Sequence, residues 1–331
     1  MTAIAKNVKS RSPLRRLACL MFAAGTPGMC ISFAFLASSH HLDVIAGAAG
    51  FVSGSILAAA GLLSIAILTR ASTSDLALLD RSAPADAAPS VSLAHWLAHF
   101  TSNRQNRTEP DWHAPIALPA EVIQPLVRSL EQFQLGDGGG PAYLIAHDRE
   151  RFLASGDGMR RLVDLWFAEE SEHSRLLGAA VARFGGRCIT SHWSFTAFCM
   201  TRRWFGVRFE LTVLLLTEIV STVYYRLLWR HANDPALRAM CRLILSDEAG
   251  HIAFHRDRLA TIARAGRATY GRFWACRLRT LGLAAATMLW VNHARGLRAV
   301  GATRAEFYRQ VWKEMTRFLR SLRHESARKV P

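Results

Sequence analysis

The sequence has no pair of cysteines at CxxC spacing, no useful length of strand-like alternation and no nucleic-acid-binding fingerprint. Its six cysteines (19, 30, 188, 199, 241 and 276) are too sparse for a disulfide scaffold and read as reduced residues in a cytoplasmic setting. The lack of a thiolate cluster argues against structural zinc. Acid is scarce as well, with 25 Asp and Glu against 41 Lys and Arg, a formal charge of +16. That excess is mostly arginine, spread along the chain. With no motif for nucleic acid, it points to an anionic membrane face.

Charge is missing altogether from two long apolar runs, Leu17 to Ser38 and Val44 to Leu68. Each exceeds the roughly 20 residues needed to cross a hydrocarbon core of about 30 Å. Lys6, Lys9, Arg11, Arg15, Arg16 and Arg70 flank the outer ends, and none lies in the break Ser39–Asp43. The positive-inside rule then predicts that residues 1–70 form a transmembrane hairpin, with helices at about 17–38 and 44–68 and both ends in the cytoplasm. Gly47, Gly50, Gly54 and Gly61 would let the two helices approach closely. The resulting location is the inner (cytoplasmic) membrane, multi-pass. The alternatives are a cleaved signal peptide, for which the first run is too long, and a pair of buried core helices. Residues 71–118, rich in Ala, Ser, Asp and Pro, read as a linker with a short amphipathic helix near Leu93–Phe100.

From Pro119 the apolar residues recur at helical spacing. One helix carries Ile123, Leu126, Val127, Leu130 and Phe133 and leads to Asp137, before the interruption Gly138–Pro141 and a second piece at about 142–153. Further helices are expected at 159–184, 205–232 and 235–265, the first stopped by Gly185-Gly186 and the last started by Asn233-Asp234-Pro235. A fifth, at 274–292, is too short in its charge-free part to span a bilayer and should pack on the bundle of residues 119–297. Residues 298–331 contain a basic amphipathic helix over Arg304–Arg323. It suits either an anionic lipid surface or plain solvent. The fold class is therefore all-α.

Two of these helices carry the same pattern: Glu169-Glu170-Ser-Glu-His173 and Asp247-Glu248-Ala-Gly-His251. Residues three apart on a helix are separated by about 60° around its axis, so each Glu and His pair points into one groove and can grip one ion. Two such turns on facing helices make a two-metal cage if each remaining helix adds one carboxylate. Glu218, inside the apolar run Leu214–Val220, is the candidate 30 residues before Glu248; Glu210 reads as a helix-end or surface acid. An unpaired carboxylate in such a helix would cost several kcal/mol, which ligation removes. Before Glu170 the candidates are Glu131 and Asp137, and Asp137 better matches the gap of the other half. The ligand set is then Asp137, Glu170, His173, Glu218, Glu248 and His251. Four carboxylates and two imidazoles suit two first-row ions, Fe or Mn. Asp247 and Glu169 are placed to accept the free ring N–H of His173 and His251. His255, one turn on, is a core or outer-layer histidine, or an extra ligand. Trp166 and Tyr225 share the ligand faces as pocket lining.

With Phe133-Gln-Leu-Gly-Asp137, Thr217-Glu218 and Val223-Tyr-Tyr-Arg226, these two turns resemble the ferritin-like di-iron carboxylate superfamily, and more narrowly a group of bacterial ferritin-like-domain proteins in which the first-helix acid is usually Glu. The resemblance covers about residues 120–260. It implies a ferritin-like four-helix bundle with a non-haem di-iron centre that reacts with O₂. Leu177 stands where reductase subunits of the superfamily carry a radical tyrosine, which disfavours radical generation at that position. The function expected is a membrane-anchored O₂-dependent oxidase, oxygenase or desaturase acting on an apolar substrate, with an electron donor, membrane lipid and a second copy of the chain as partners. The alternatives are a ferroxidase or Mn/Fe peroxide scavenger, and a non-catalytic metal-holding module.

Overall fold

The computed structural model describes residues 19–26, 28, 32, 92–105, 107–137, 157–196, 199, 207–266 and 268–327. The chain divides into two units, Met1–Ser82 and Ala83–Pro331. In the first, residues 19–26 are helical, and Thr26 Oγ1 donates to the Phe22 carbonyl at 2.9 Å. The rest of the expected hairpin, and the helical piece at 142–153, lie outside the described residues.

The second unit is all-helical, with no strand among the described residues. Its helices are α1 (Leu93–Gln105), α2 (Ala120–Asp137), α3 (Asp157–Arg183), α4 (Val207–His231), α5 (Pro235–Arg264), α6 (Arg272–Ala299) and α7 (Arg304–Ala327). Local chemistry sets the boundaries. The α3 helix ends where Gly185, at φ +76°, turns the chain, with Gly186 N–H bonded to the Val181 carbonyl at 2.9 Å. The α5 helix starts where Asp234 Oδ1 accepts from Leu237 N–H at 3.0 Å with Pro235 behind it.

The strongest packings are α4 on α5 and α2 on α3, with α3 meeting α5. The core between them includes Leu126, Leu130, Leu176, Leu177, Ile219, Val223, Leu237 and Ile244, all buried. Among the described residues α4 is the helix long and apolar enough to cross a membrane, over Glu210–His231, yet most of it is buried by its neighbours, as in a core helix.

The structure departs from the sequence reading at three places. The latter part of the expected linker is not a free tether. Helix α1 packs on α3 and α5, and the loop after it is held by Arg183, whose guanidinium donates to the carbonyls of Trp112, Ala114 and Pro115 and to Asp234. The apolar stripe of α7 does not face lipid or solvent. Phe307, Val311, Met315, Phe318, Leu319 and Leu322 are buried against α4, α5 and α6. Burial of each such side chain contributes roughly 1.5–3 kcal/mol. The acids of α7 are not left unpaired. Glu314 meets Arg226 at 2.6 Å, Glu325 meets Arg256 at 2.6 Å, and Glu306 meets His231 at 2.8 Å. Finally, Glu210 is a helix-end acid, as expected, but not a surface one: it is fully buried in the first turn of α4.

Candidate metal centre

The two Glu-x-x-His turns face each other from α3 and α5, and both imidazoles are fully buried. Each ring uses its outer nitrogen on an acid of the other helix. His173 Nε2 lies 3.0 Å from Asp247 Oδ2, and His251 Nε2 lies 3.0 Å from Glu169 Oε2. That leaves both Nδ1 atoms pointing inward with no hydrogen-bond partner. Glu170 sits between them, its Oε1 3.2 Å from His251 Nδ1 and its Oε2 3.6 Å from His173 Nδ1. From α4, Glu218 Oε2 comes within 3.6 Å of His251 Nδ1; from α5, Glu248 Oε2 comes within 3.8 Å and is itself buried without a hydrogen-bond partner. Glu170, Glu218 and His251 offer ligand atoms within 4.8 Å of one another and could hold a metal ion.

Asp137 stands in the last turn of α2. It accepts a hydrogen bond from Tyr225 Oη at 3.0 Å and lies within electrostatic reach of Glu170, His173 and Glu218. Ser221, one turn after Glu218, donates to Glu248 Oε1 at 3.2 Å. The sequence signal for Ser221 is its i+3 spacing from Glu218 on the same face.

Crowding of acids sets the protonation of the group. Burial, reinforced by the charge of Glu170, pushes the Asp137 carboxyl up to about 7. Burial and the charge of Glu218 hold Glu248 well above the usual carboxylate range. Burial alone would lower His173, but the hydrogen bond to Asp247 and the adjacent Glu170 carboxylate outweigh it and raise the ring to about 10. His251 is raised well above its ordinary value against the same burial, by the charges of Glu218 and Glu170 and the hydrogen bond to Glu169. Glu170 is lowered despite burial, chiefly by the charge of His251. Because an imidazole binds a cation through a deprotonated nitrogen, metal binding at the two inward Nδ1 atoms would be coupled to proton release.

The surroundings of the two rings differ. On the His173 side, Arg107 Nη2 donates to Asp247 Oδ2 at 2.5 Å. On the His251 side there are aromatic rings: Trp166 at 5.7 Å and Phe100 of α1 at 5.9 Å between centroids. Trp166 is buried beside His251, its indole N–H without a hydrogen-bond partner, and Tyr225 donates to Asp137. His255 is placed differently from Glu169 and Asp247. It is buried edge-on to Trp166 at 5.2 Å, with Nδ1 3.4 Å from Arg258 Nη2. Its neighbours are those of a core histidine.

Arg107 and Phe100 were not legible as site residues. Phe100 has a signal in the i, i+3, i+4, i+7 spacing of Leu93, Trp96, Leu97 and Phe100, which marks a buried face but not what it covers. Arg107 has none. Compared with protein-family models, characterised proteins and solved structures, the chain matches none.

Proposed function

We propose that this chain is a membrane-anchored, cytoplasm-facing ferritin-like protein whose α2, α3, α4 and α5 hold two iron ions, or manganese in their place, and that it is an O₂-dependent oxidoreductase acting on an apolar substrate. One observation carries the reading. Two buried imidazoles, each oriented through its outer nitrogen by an acid, turn unpartnered inner nitrogens toward the two oxygens of one carboxylate. Leaving such atoms unmatched in a protein interior costs about 1–3 kcal/mol each, and coordination removes that cost.

In this reading Asp137, Glu170, His173, Glu218, Glu248 and His251 would together hold the ions, with Glu170 lying between the two imidazoles. Two redox-active ions so held would supply reductive activation of O₂. The protein groups keep the donors aimed and water scarce. Asp247 and Glu169 fix which ring nitrogen faces inward. Ser221 and Tyr225 each hold one carboxylate oxygen of Glu248 and Asp137, leaving the other for the metal. The aromatic wall of Phe100, Trp166, Trp96 and Phe254 excludes water beside His251 and matches an apolar substrate.

The test is O₂ consumption by the metal-loaded, chemically reduced chain. Rapid uptake without iron deposition supports the oxidoreductase. Uptake only with excess Fe²⁺ makes it a ferroxidase, peroxide consumption without O₂ uptake makes it a scavenger, and none makes it a metal-holding module.

A further inference from the structure

The apolar stripe of α7, which suited either lipid or solvent, is taken up by the core, whereas α6 keeps an uncovered apolar face. We propose that the outward face of α6 is where the second unit meets an anionic lipid surface. On α6 the exposed positions after Arg272 are Phe273, Cys276, Arg277, Thr280, Leu283, Ala284, Thr287, Met288, Val291, Arg295 and Arg298, one continuous helical face. Phe273 is 86% exposed, Val291 66% and Met288 46%. Single exposed apolar residues are ordinary on a protein surface, but a continuous face without charge from Thr280 to Asn292 is not.

The rim gives the partner's chemistry. Arg272, Arg277 and Arg279 lie at one end of this stretch and Arg295 and Arg298 at the other. No Asp or Glu occurs anywhere between Asp257 and Glu306. Along the edge, Trp312 of α7 is 47% exposed under the Arg279 guanidinium, and Tyr308 Oη donates to Thr287 Oγ1 at 3.1 Å. Aliphatic centre, amphipathic aromatics at the edge and arginine at both ends match the layers of a lipid headgroup region. A second copy fits worse. Pairing two α6 faces antiparallel about their midpoint brings Arg277 of one copy toward Arg295 of the other with no acid to separate them, whereas an anionic headgroup layer neutralises both ends. This inference shares the membrane setting of the proposed function but not its metal chemistry.

The test uses the full chain in liposomes of phosphatidylcholine and phosphatidylglycerol, with bimane on Cys276 and with Cys19, Cys30 and Cys188 changed to serine. Brominated lipid should quench the label at least twofold, and less in phosphatidylcholine alone. A label at Gln105→Cys on α1, which packs on α3 and α5 rather than α6, should not be quenched. The double variant Met288→Glu/Val291→Glu should lose the quenching while keeping its helical circular dichroism. No quenching at Cys276, equal quenching in both lipids, or shielding accompanied by Met288→Cys cross-links between chains would overturn the proposal. A second protein that keeps Cys30 and has Cys276 changed to serine, labelled at Cys30, reports the predicted span separately. Quenching there but not at Cys276 rejects the α6 face alone, and quenching at Cys276 but not at Cys30 rejects the span alone.

Discussion

Glu169 Oε2 lies 3.0 Å from His251 Nε2, although α3 and α5 bring the two residues together from 82 positions apart. The contact fixes which nitrogen of a fully buried ring faces Glu170. Glu169→Ala should therefore weaken metal binding roughly 10- to 100-fold, and Glu169→Gln, which keeps an acceptor oxygen, should weaken it less. Competition against a chelator of known affinity checks both.

Asp247→Ala should do the same at His173 and also destabilise the fold. It removes the 2.5 Å partner of Arg107, which is only 15% exposed and would keep Glu172 at 4.0 Å as its remaining carboxylate. Loss of the closer pair should lower the melting temperature of metal-free protein relative to Glu169→Ala, which breaks no Arg pair.

The two buried acids of α4 should also behave differently. Glu218 Oε2 is 3.6 Å from His251 Nδ1, whereas Glu210 sits in the first turn of the helix. Glu218→Ala should abolish metal retention at little cost to folding. Glu210→Ala should lower stability but retain metal. The reverse result, read by elemental analysis and melting together, would remove Glu218 from the site.

What the sequence made legible was local. A Glu and a His three apart on one helix are placed by helix geometry alone, and an acid beside each follows from the same turn. The four Glu and His residues of the two turns, with Glu169 and Asp247, could therefore be named as candidates from spacing. Phe307 to Leu322 was visible as a stripe, but whether a stripe meets lipid or another helix depends on Arg226 and Arg256, which lie on other elements. Arg107 lies in a loop after α1 and reaches the site from 140 residues away in sequence, so no spacing rule finds it. The exposed face of α6 was hidden for the converse reason. Its composition is that of a packed helix, and only the placement of α2, α4 and α7 shows which side is left uncovered.

A second buried network lies apart from the metal site. Ser129 Oγ is shared between Tyr224 Oη at 2.7 Å and His293 Nδ1 at 2.9 Å. Burial, helped by the charge of His192 and opposed by Ser129, lowers His293 from its ordinary 6.5 to about 3. Between those values the unfolded chain binds a proton that the folded chain refuses, so stability rises with pH across the window. It should fall as pH drops from about 6.5 to about 3, by up to about 1.4 kcal/mol per pH unit, and level off below. His293→Gln should flatten this acid limb in denaturant titrations at a series of pH values.

Gly296 is where α6 crosses α2. A Cβ there would lie 2.8 Å from Ser129 Cβ and 3.0 Å from the Pro125 carbonyl oxygen, and the backbone oxygen cannot move aside. Gly296→Ala should destabilise the protein by about 1–3 kcal/mol through separation of these helices, outweighing the better helix propensity of alanine. Denaturant unfolding measures it.

The most direct test of the account is the metal content of the full chain expressed with iron and manganese both available, for the native sequence and for His173→Ala and His251→Ala. Two ions per chain are expected in the native protein, with each substitution losing at least one. No bound metal, or a full complement that survives the loss of both imidazoles, would contradict the account.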